Sequence, residues 1–413
     1  AQAIWVRATL AQGFSKTVGC SIMAVVQRWP VIVLASLLAR CATEEWAGQG
    51  AGGSLDLALV NTTPLNEWPM LMSHDAATGY LVSEDNPIYA WTRTQSASAK
   101  SFTQQLECGV RAFDFRGHID EANNLIFHHG GVAVERHAAD AVAEIVAWAN
   151  GHPAVEDLVL IYSWDCSGSG CAERMESVFS QAGILVATDC VKIAGSALGD
   201  VASMARLADG GHVLVMTGCV DQNFNQSLTC SGFDKPSGAA QDGRSLQLAS
   251  SGAICGPRSA NSTFEESRAC GEALRPYVQH ARVAGAPLAG YYTCWRGGHA
   301  SDFPLGRLLD ALQGVAARPP AAGQLAELQA LWQETPSSVE IGIAHLSSLL
   351  KDEEQSGLNA LLVQQISSGA FQHIGLFEVN NACDHGPDLL AALRAHHARR
   401  ARARRPPASP LLV

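Results

Sequence analysis

The chain has 413 residues, 47% of them apolar and only 16% charged, against about 25% charged in an average soluble domain, so material for a large core is ample. Its formal charge of −11 conceals a basic end: residues 394–413 hold six arginines and no acid, so the rest carries −17. An acidic body of this kind argues against nucleic acid as a partner, since that role needs clustered cations. No internal repeat of fixed period occurs.

Near the start, from Met23, the chain reads MAVVQRWPVIVLASLLARCATEEWAG, with Arg28 ahead of an apolar run over 30–39 and small residues after it. That is signal-peptide anatomy, with a short buried helix as the alternative; a spanning helix needs about 20 apolar residues. A targeting segment is therefore expected over 1–46, a Gly-rich linker over 47–60 (AGQGAGGS) and the folded part over 61–393. No later segment is apolar enough to be a transmembrane helix. Ten of the twelve cysteines lie beyond residue 45 without CxxC spacing, which favours disulfides in an oxidising compartment over zinc. Sequons at Asn61, Asn225 and Asn261 agree with a secreted glycoprotein.

Short runs with strand character follow: WPMLM, VRAFDFR, NLIFHHG, DLVLIYSW, HVLVMTG, AGYYTCW and HIGLFEVN. Helical patterns interleave with them at 135–151, 303–317, 324–333 and 341–366. Such alternation predicts an α/β fold built on a parallel sheet or barrel. The Gly-, Ser- and Cys-rich stretch 219–295 reads as a disulfide-tied insertion, and 394–413 as a basic disordered tail or a contact for anionic lipid or nucleic acid. Nothing in the sequence specifies an oligomeric state.

Three polar clusters carry the chemistry. WPMLM runs directly into Ser73-His74-Asp75 and then into small residues ending at Gly79. In VRAFDFRG, strand alternation puts Phe113 and Phe115 on one face and Asp114 and Arg116 on the other. Those two make a structural ion pair or the two ends of an anion site, because a guanidinium matches phosphate geometry. In NLIFHHG, His129 shares a face with Leu125 and Phe127 while His128 points away. Adjacent strand residues diverge, so the two histidines are not expected to share a metal. Together the clusters supply a base, an anion clamp and an acid, a set suited to phosphodiester cleavage.

SHDAATG, VRAFDFRG and LIFHHG, in this order and at this spacing, resemble the X region of phosphatidylinositol-specific phospholipase C, most of all its calcium-independent bacterial type. The resemblance covers about residues 66–165, with HIGLFEVNN a fainter echo near the C-terminus. It implies an irregular (β/α) TIM-type barrel in which His74 is the general base and His129 the general acid. Arg116 would hold the phosphate, and Asp75 would bond near Arg116 and the leaving oxygen. Asp114, Trp164 and Asp165 fall where substrate-binding residues belong, although the basic residues that bind inositol in the family have no counterpart on these strands. Glu378 or Asn380 occupies the place of the residue that orients His74. Calcium-using members have Asn after the first His; here Asp75 follows, and Arg116 takes the cation's place, so neither metal nor cofactor is expected. The implied substrate is a phospholipid at a membrane surface. Two other readings stay open: a metal-dependent glycerophosphodiesterase or sphingomyelinase D-type enzyme, and a weakly active lipid-head-group or glycan binding protein.

Overall fold

A computed structural model describes residues 4–5, 23–24, 57–81, 92–222, 305–320, 323–331 and 349–404. The chain divides into two units, Ala1–Ser54 and Leu55–Val413. In the first, Ile4–Trp5 pairs antiparallel with Met23–Ala24.

The second unit is an irregular (β/α) barrel. Its strands are β1 (Met70–Ser73), β2 (Ala112–Ile119), β3 (Leu125–His129), β4 (Val132–Val134), β5 (Val159–Ser167), β6 (Leu185–Ala187), β7 (Val213–Met216), β8 (Val220–Gln222), β9 (Leu325–Gln329) and β10 (Leu376–Val379). Eight of them form one parallel path in the order β8-β9-β10-β1-β2-β5-β7-β6. Only residues 217–219 separate β7 from β8, so one short turn links strands near opposite ends of the path and the sheet curls on itself. The β3–β4 hairpin hangs antiparallel from the outer half of β2.

The helices are α1 (Leu57–Thr62), α2 (Phe102–Glu107), α3 (Ala138–Gly151), α4 (Cys171–Gln181), α5 (Cys190–Gly195), α6 (Leu198–Met204), α7 (Leu305–Ala316), α8 (Leu349–Ser356), α9 (Leu358–Ser368) and α10 (Gly386–Arg404). Because strand side chains alternate, the sheet has two apolar faces. Leu71, Phe113, Phe115, Ile161, Val215 and Phe377 face the helices. The other set, including Met70, Ala112, Leu160, Leu214 and Leu376, fills the barrel interior. Along that interior face four strands turn polar toward their C-terminal ends: Met70, Met72, His74; Ala112, Asp114, Arg116; Leu325, Glu327, Gln329; Leu376, Glu378, Asn380. A dry floor thus carries a polar mouth, the end of such barrels where chemistry is placed.

Several expectations need correction. The segment 324–333 is not a helix: Leu325–Gln329 is a fully buried strand between β8 and β10, whose ladders override the helix-forming residues Leu, Ala, Glu and Gln. The basic end is not a disordered tail as far as Arg404. Leu389, Ala392, Leu393, His396 and His397 make a buried stripe at helical spacing, Arg399 Nη2 donates to the Ile366 carbonyl (3.0 Å), and His397 meets Trp68 edge-on. The linker ends earlier than 60, since α1 starts at Leu57. Likewise Cys219–Gln222 belongs to the barrel rather than to the insertion, because β8 pairs with β9. Apart from the four N-terminal residues above, the targeting segment lies outside the described residues. So do AGYYTCW, the insertion beyond Gln222, residues 341–348, Asn225 and Asn261. Among the described residues three disulfides are formed: Cys108–Cys383, Cys166–Cys171 and Cys190–Cys219. Among the described residues, no helix is long and apolar enough to cross a membrane.

Candidate active site

β1 stops at Ser73, and the two residues after it are held rather than free. The His74 carbonyl accepts from Thr94 Oγ1 (2.7 Å) and Gln95 Nε2 (2.9 Å), while its N–H donates to the Val379 carbonyl. Asp75 sits in the left-handed region at φ 42°, ψ 50°, a conformation Asp tolerates better than most residues. Its N–H donates to Asp114 Oδ2 (3.0 Å), and its carboxylate turns inward with no exposure. Gly79, which closes the motif, lies against a neighbouring backbone: a Cβ there would stand 2.8 Å from the Lys100 carbonyl oxygen.

Arg116 threads between two carboxylates. Its Nε is 2.8 Å from Asp75 Oδ1 and donates to Asp114 Oδ2 (3.0 Å); Nη2 donates to Asp114 Oδ2 (2.8 Å) and lies 3.1 Å from His74 Nε2. Trp164 Nε1 donates to Asp114 Oδ1 (2.6 Å), and the guanidinium lies 4.6 Å above the Trp164 ring. Nη1 makes no hydrogen bond to any described residue, which leaves two N–H groups open to a ligand. Burial pulls the Arg116 pKa down, yet Asp114 and Asp75 outweigh it and hold it above its usual value. For Asp75, burial raises the pKa, but Arg116, His129 and His74 prevail and keep the carboxyl below its ordinary range.

The two histidines contrast in their hydrogen-bond demands. His74 Nδ1 is 2.8 Å from Asn380 Oδ1, and Asn380 Nδ2 donates to Glu353 Oε1 (2.9 Å). The amide therefore turns its oxygen to the ring, so Nδ1 carries the proton and the Nε2 lone pair receives the Arg116 N–H. His129 Nδ1 faces the Thr92 carbonyl at 2.6 Å, and its Nε2 faces Asp75 Oδ2 at 3.1 Å. Both partners are acceptors, so the contacts are best satisfied by the imidazolium. Burial is the larger influence on His129 and, with Arg116 and His74, moves its pKa below the ordinary value against the pull of Asp75. The contact to Asp75 is an ion-pair distance rather than an aligned hydrogen bond, so a proton on Nε2 would be loosely held. Asp75 Oδ2 also lies 3.2 Å from His74 Nε2, so one carboxylate oxygen touches both rings, whose centroids are 6.0 Å apart.

The structure thus brings together His74, Asp75, Asp114, Arg116, His129, Trp164 and Asn380. His128 points elsewhere, tied to the carbonyls of Asp165 and Gly130. Asp165 is exposed, and its carbonyl bonds His128, outside the cluster. Glu378, one step down the interior face from Asn380, does not face His74 Nδ1; burial and Glu327 push its pKa well above the usual range. Sequence reasoning missed Thr92, Thr94, Gln95, Glu327 and Glu353, which come from distant segments and carry no local motif. The burial of Thr92-Arg93-Thr94-Gln95, which sets the run apart, shows only in the fold. Ligand atoms of His74, Asp75 and Asp114 lie within 4.8 Å of one another, a set that could hold an ion, but the Arg116 side chain already bonds both carboxylates.

No protein-family model matches the chain, and no curated protein does. Among solved structures it is similar to a mutant of phosphatidylinositol-specific phospholipase C from Staphylococcus aureus (TM-score 0.47, 13% identity, 81% of this chain and 94% of that one). It is similar also to phosphatidylinositol-specific phospholipase C from Listeria monocytogenes (TM-score 0.44, 13% identity, 81% and 94%). Scores and identities this low bear on the course of the chain at most; the chemistry has to be argued from the site itself.

Proposed function

We propose that this protein is a metal-independent phosphodiesterase that cleaves a phosphatidylinositol-type lipid through a cyclic phosphate. One observation carries the reading: Nε2 of His74 and Nε2 of His129 both lie within 3.2 Å of the same Asp75 oxygen, and their other partners lead us to assign the lone pair to His74 and the proton to His129. A head-group hydroxyl next to the phosphate-bearing carbon attacks phosphorus and gives its proton to His74 Nε2. The bond from phosphorus to the diacylglycerol oxygen breaks, and that oxygen takes the proton of His129 Nε2. Positive charge leaves one imidazole and appears on the other, so Asp75 keeps an imidazolium partner and little has to reorganise. The open N–H groups on Nη1 of Arg116 donate to the non-bridging oxygens as charge-assisted hydrogen bonds.

Position favours Arg116 over a metal ion as the cation between Asp75 and Asp114, which sets the metal-dependent reading second. The disulfides support a secreted protein, checked by whether the cysteines are oxidised in material from the native host. The decisive assay is ³¹P NMR of the protein with phosphatidylinositol vesicles in excess EDTA. A cyclic phosphodiester product is expected. No turnover in EDTA with recovery on calcium, or turnover of choline lipids only, overturns the proposal. So does binding of the vesicles without any turnover.

A further inference from the structure

The proposed mechanism requires His74 to carry its proton on Nδ1, and on that reading we infer that Glu353 is the residue that enforces it, acting through Asn380. Asn380 is fully buried, and its side-chain amide has one accepting and one donating end. The donating end meets Glu353 Oε1 at 2.9 Å and the accepting end meets His74 Nδ1 at 2.8 Å. Turning the amide by 180° would set its oxygen against the Glu353 carboxylate. It would also set its NH₂ against Nδ1, forcing the ring proton to Nε2, where the attacking hydroxyl needs a lone pair. Held ionised, the carboxylate on α8 forbids that turn, because in that state it can only accept.

The backbone is fixed as firmly as the side chain. Asn359 Nδ2, from α9, donates to the carbonyls of Asn380 (3.1 Å), Asn381 (3.2 Å) and Asp384 (3.2 Å). Glu353 is itself 2% exposed, and Ser356 Oγ bonds its carbonyl at 2.9 Å. An amide next to the histidine, in place of a carboxylate, is neutral and reversible in orientation; the carboxylate one residue further out removes the ambiguity. Glu353 is thus a positioning residue, and it touches neither substrate nor reacting atoms.

The test is a swap. Glu353→Gln keeps the shape but can donate, so it tolerates the turned amide; kcat should fall roughly 10- to 100-fold with KM little changed, the scale seen when an outer partner of a functional histidine is lost. Asn380→Asp alone sets two carboxylates together and should also be impaired. The double variant restores an acceptor toward Nδ1 and a donor toward position 380, so kcat should recover above either single variant. In ¹⁵N-histidine spectra, the resonance pair that disappears in His74→Ala should show protonated Nδ1 in the wild type, Nε2 in Glu353→Gln, and Nδ1 again in the double. If Glu353→Gln does not fold, Glu353→Ala with Asn380→Asp takes its place, and the same recovery over Glu353→Ala is required. Unchanged kcat and tautomer in Glu353→Gln, or no recovery in the double, overturns the inference while leaving the proposed function standing. An active His74→Ala overturns the proposed function itself.

Discussion

Two arginines five residues apart, Arg111 just before β2 and Arg116 within it, have matching immediate surroundings and different tasks. Each guanidinium lies 4.6 Å above a tryptophan ring, Trp148 for Arg111 and Trp164 for Arg116. Each bonds an aspartate at 2.8 Å, Asp157 and Asp114 respectively. The difference is in what is left over. Arg111 Nη1 donates to the carbonyls of Leu106 (3.0 Å) and Val110 (2.8 Å), and Nε and Nη2 both bond Asp157. At Arg116 the polar contacts crowd onto Nε and Nη2, and Nη1 stays open. A guanidinium at the barrel floor with all three nitrogens engaged fastens the strand; one at the mouth with a nitrogen left over can receive a phosphate. Residue type and a charge partner do not distinguish the two, but unspent donors do.

The largest effects should come from the groups that Arg116 stands beside and Arg111 lacks. His74→Ala and His129→Ala should each lower turnover about 10²–10⁴-fold, the usual cost of losing a general base or acid. His128→Ala, one residue away but bonded to loop carbonyls, should cost far less. Initial rates on phosphatidylinositol vesicles, with circular dichroism to show folding, check all three; a greater loss at His128 than at His129 would reverse the assignment.

Next come the arginines themselves. Arg116→Lys keeps the charge but not the fork, and should lose roughly 2–4 kcal/mol of transition-state stabilisation, the scale of one preorganised donor, with the fold intact. Arg111→Lys should do the opposite: turnover per folded molecule unchanged, and unfolding easier by about 1–3 kcal/mol as buried acceptors lose their partners. Urea titrations and kcat on the same preparations give both numbers. If Arg111→Lys abolished activity in folded protein, or Arg116→Lys left it whole, the nitrogen left over would not be what separates them.

The site was legible in the sequence where it is local. Ser73-His74-Asp75, Asp114 with Arg116, and His129 fall within 57 positions of one another, and strand alternation set Asp114 and Arg116 on the face away from Phe113 and Phe115, as in the fold. Asn380 was legible only as one of two candidates, because Glu378 shares its face; what decided between them was the ladder pairing Val379 with Ser73, which brings Asn380 beside His74. Glu353 and Thr92 were invisible, since each acts through one atom fixed by tertiary packing. The strand Leu325–Gln329 was misread for the opposite reason: its residues favour a helix locally, and only the neighbouring strands impose the extended form.

Glu327, on that misread strand, supplies the smallest and most specific prediction. It is 1% exposed and lies near Arg116 within the barrel interior, a carboxyl of a kind not seen around Arg111. Burial and then Asp114 raise its pKa from 4.5 to about 8, against the opposing pull of Arg116. A folded-state value above the unfolded one means that the neutral form is favoured by folding. The resulting stability is complete below about pH 4.5 and is lost progressively as pH rises toward 8. Glu327→Gln is neutral at every pH and escapes that loss. Its melting temperature should therefore gain on the wild type steadily between pH 5 and pH 8, and the gain should level off above that range. Thermal melts at four or five pH values read the slope. A flat difference across the range would mean that Glu327 is ionised in the folded protein, leaving the barrel interior with more negative charge than Arg116 and His129 can balance.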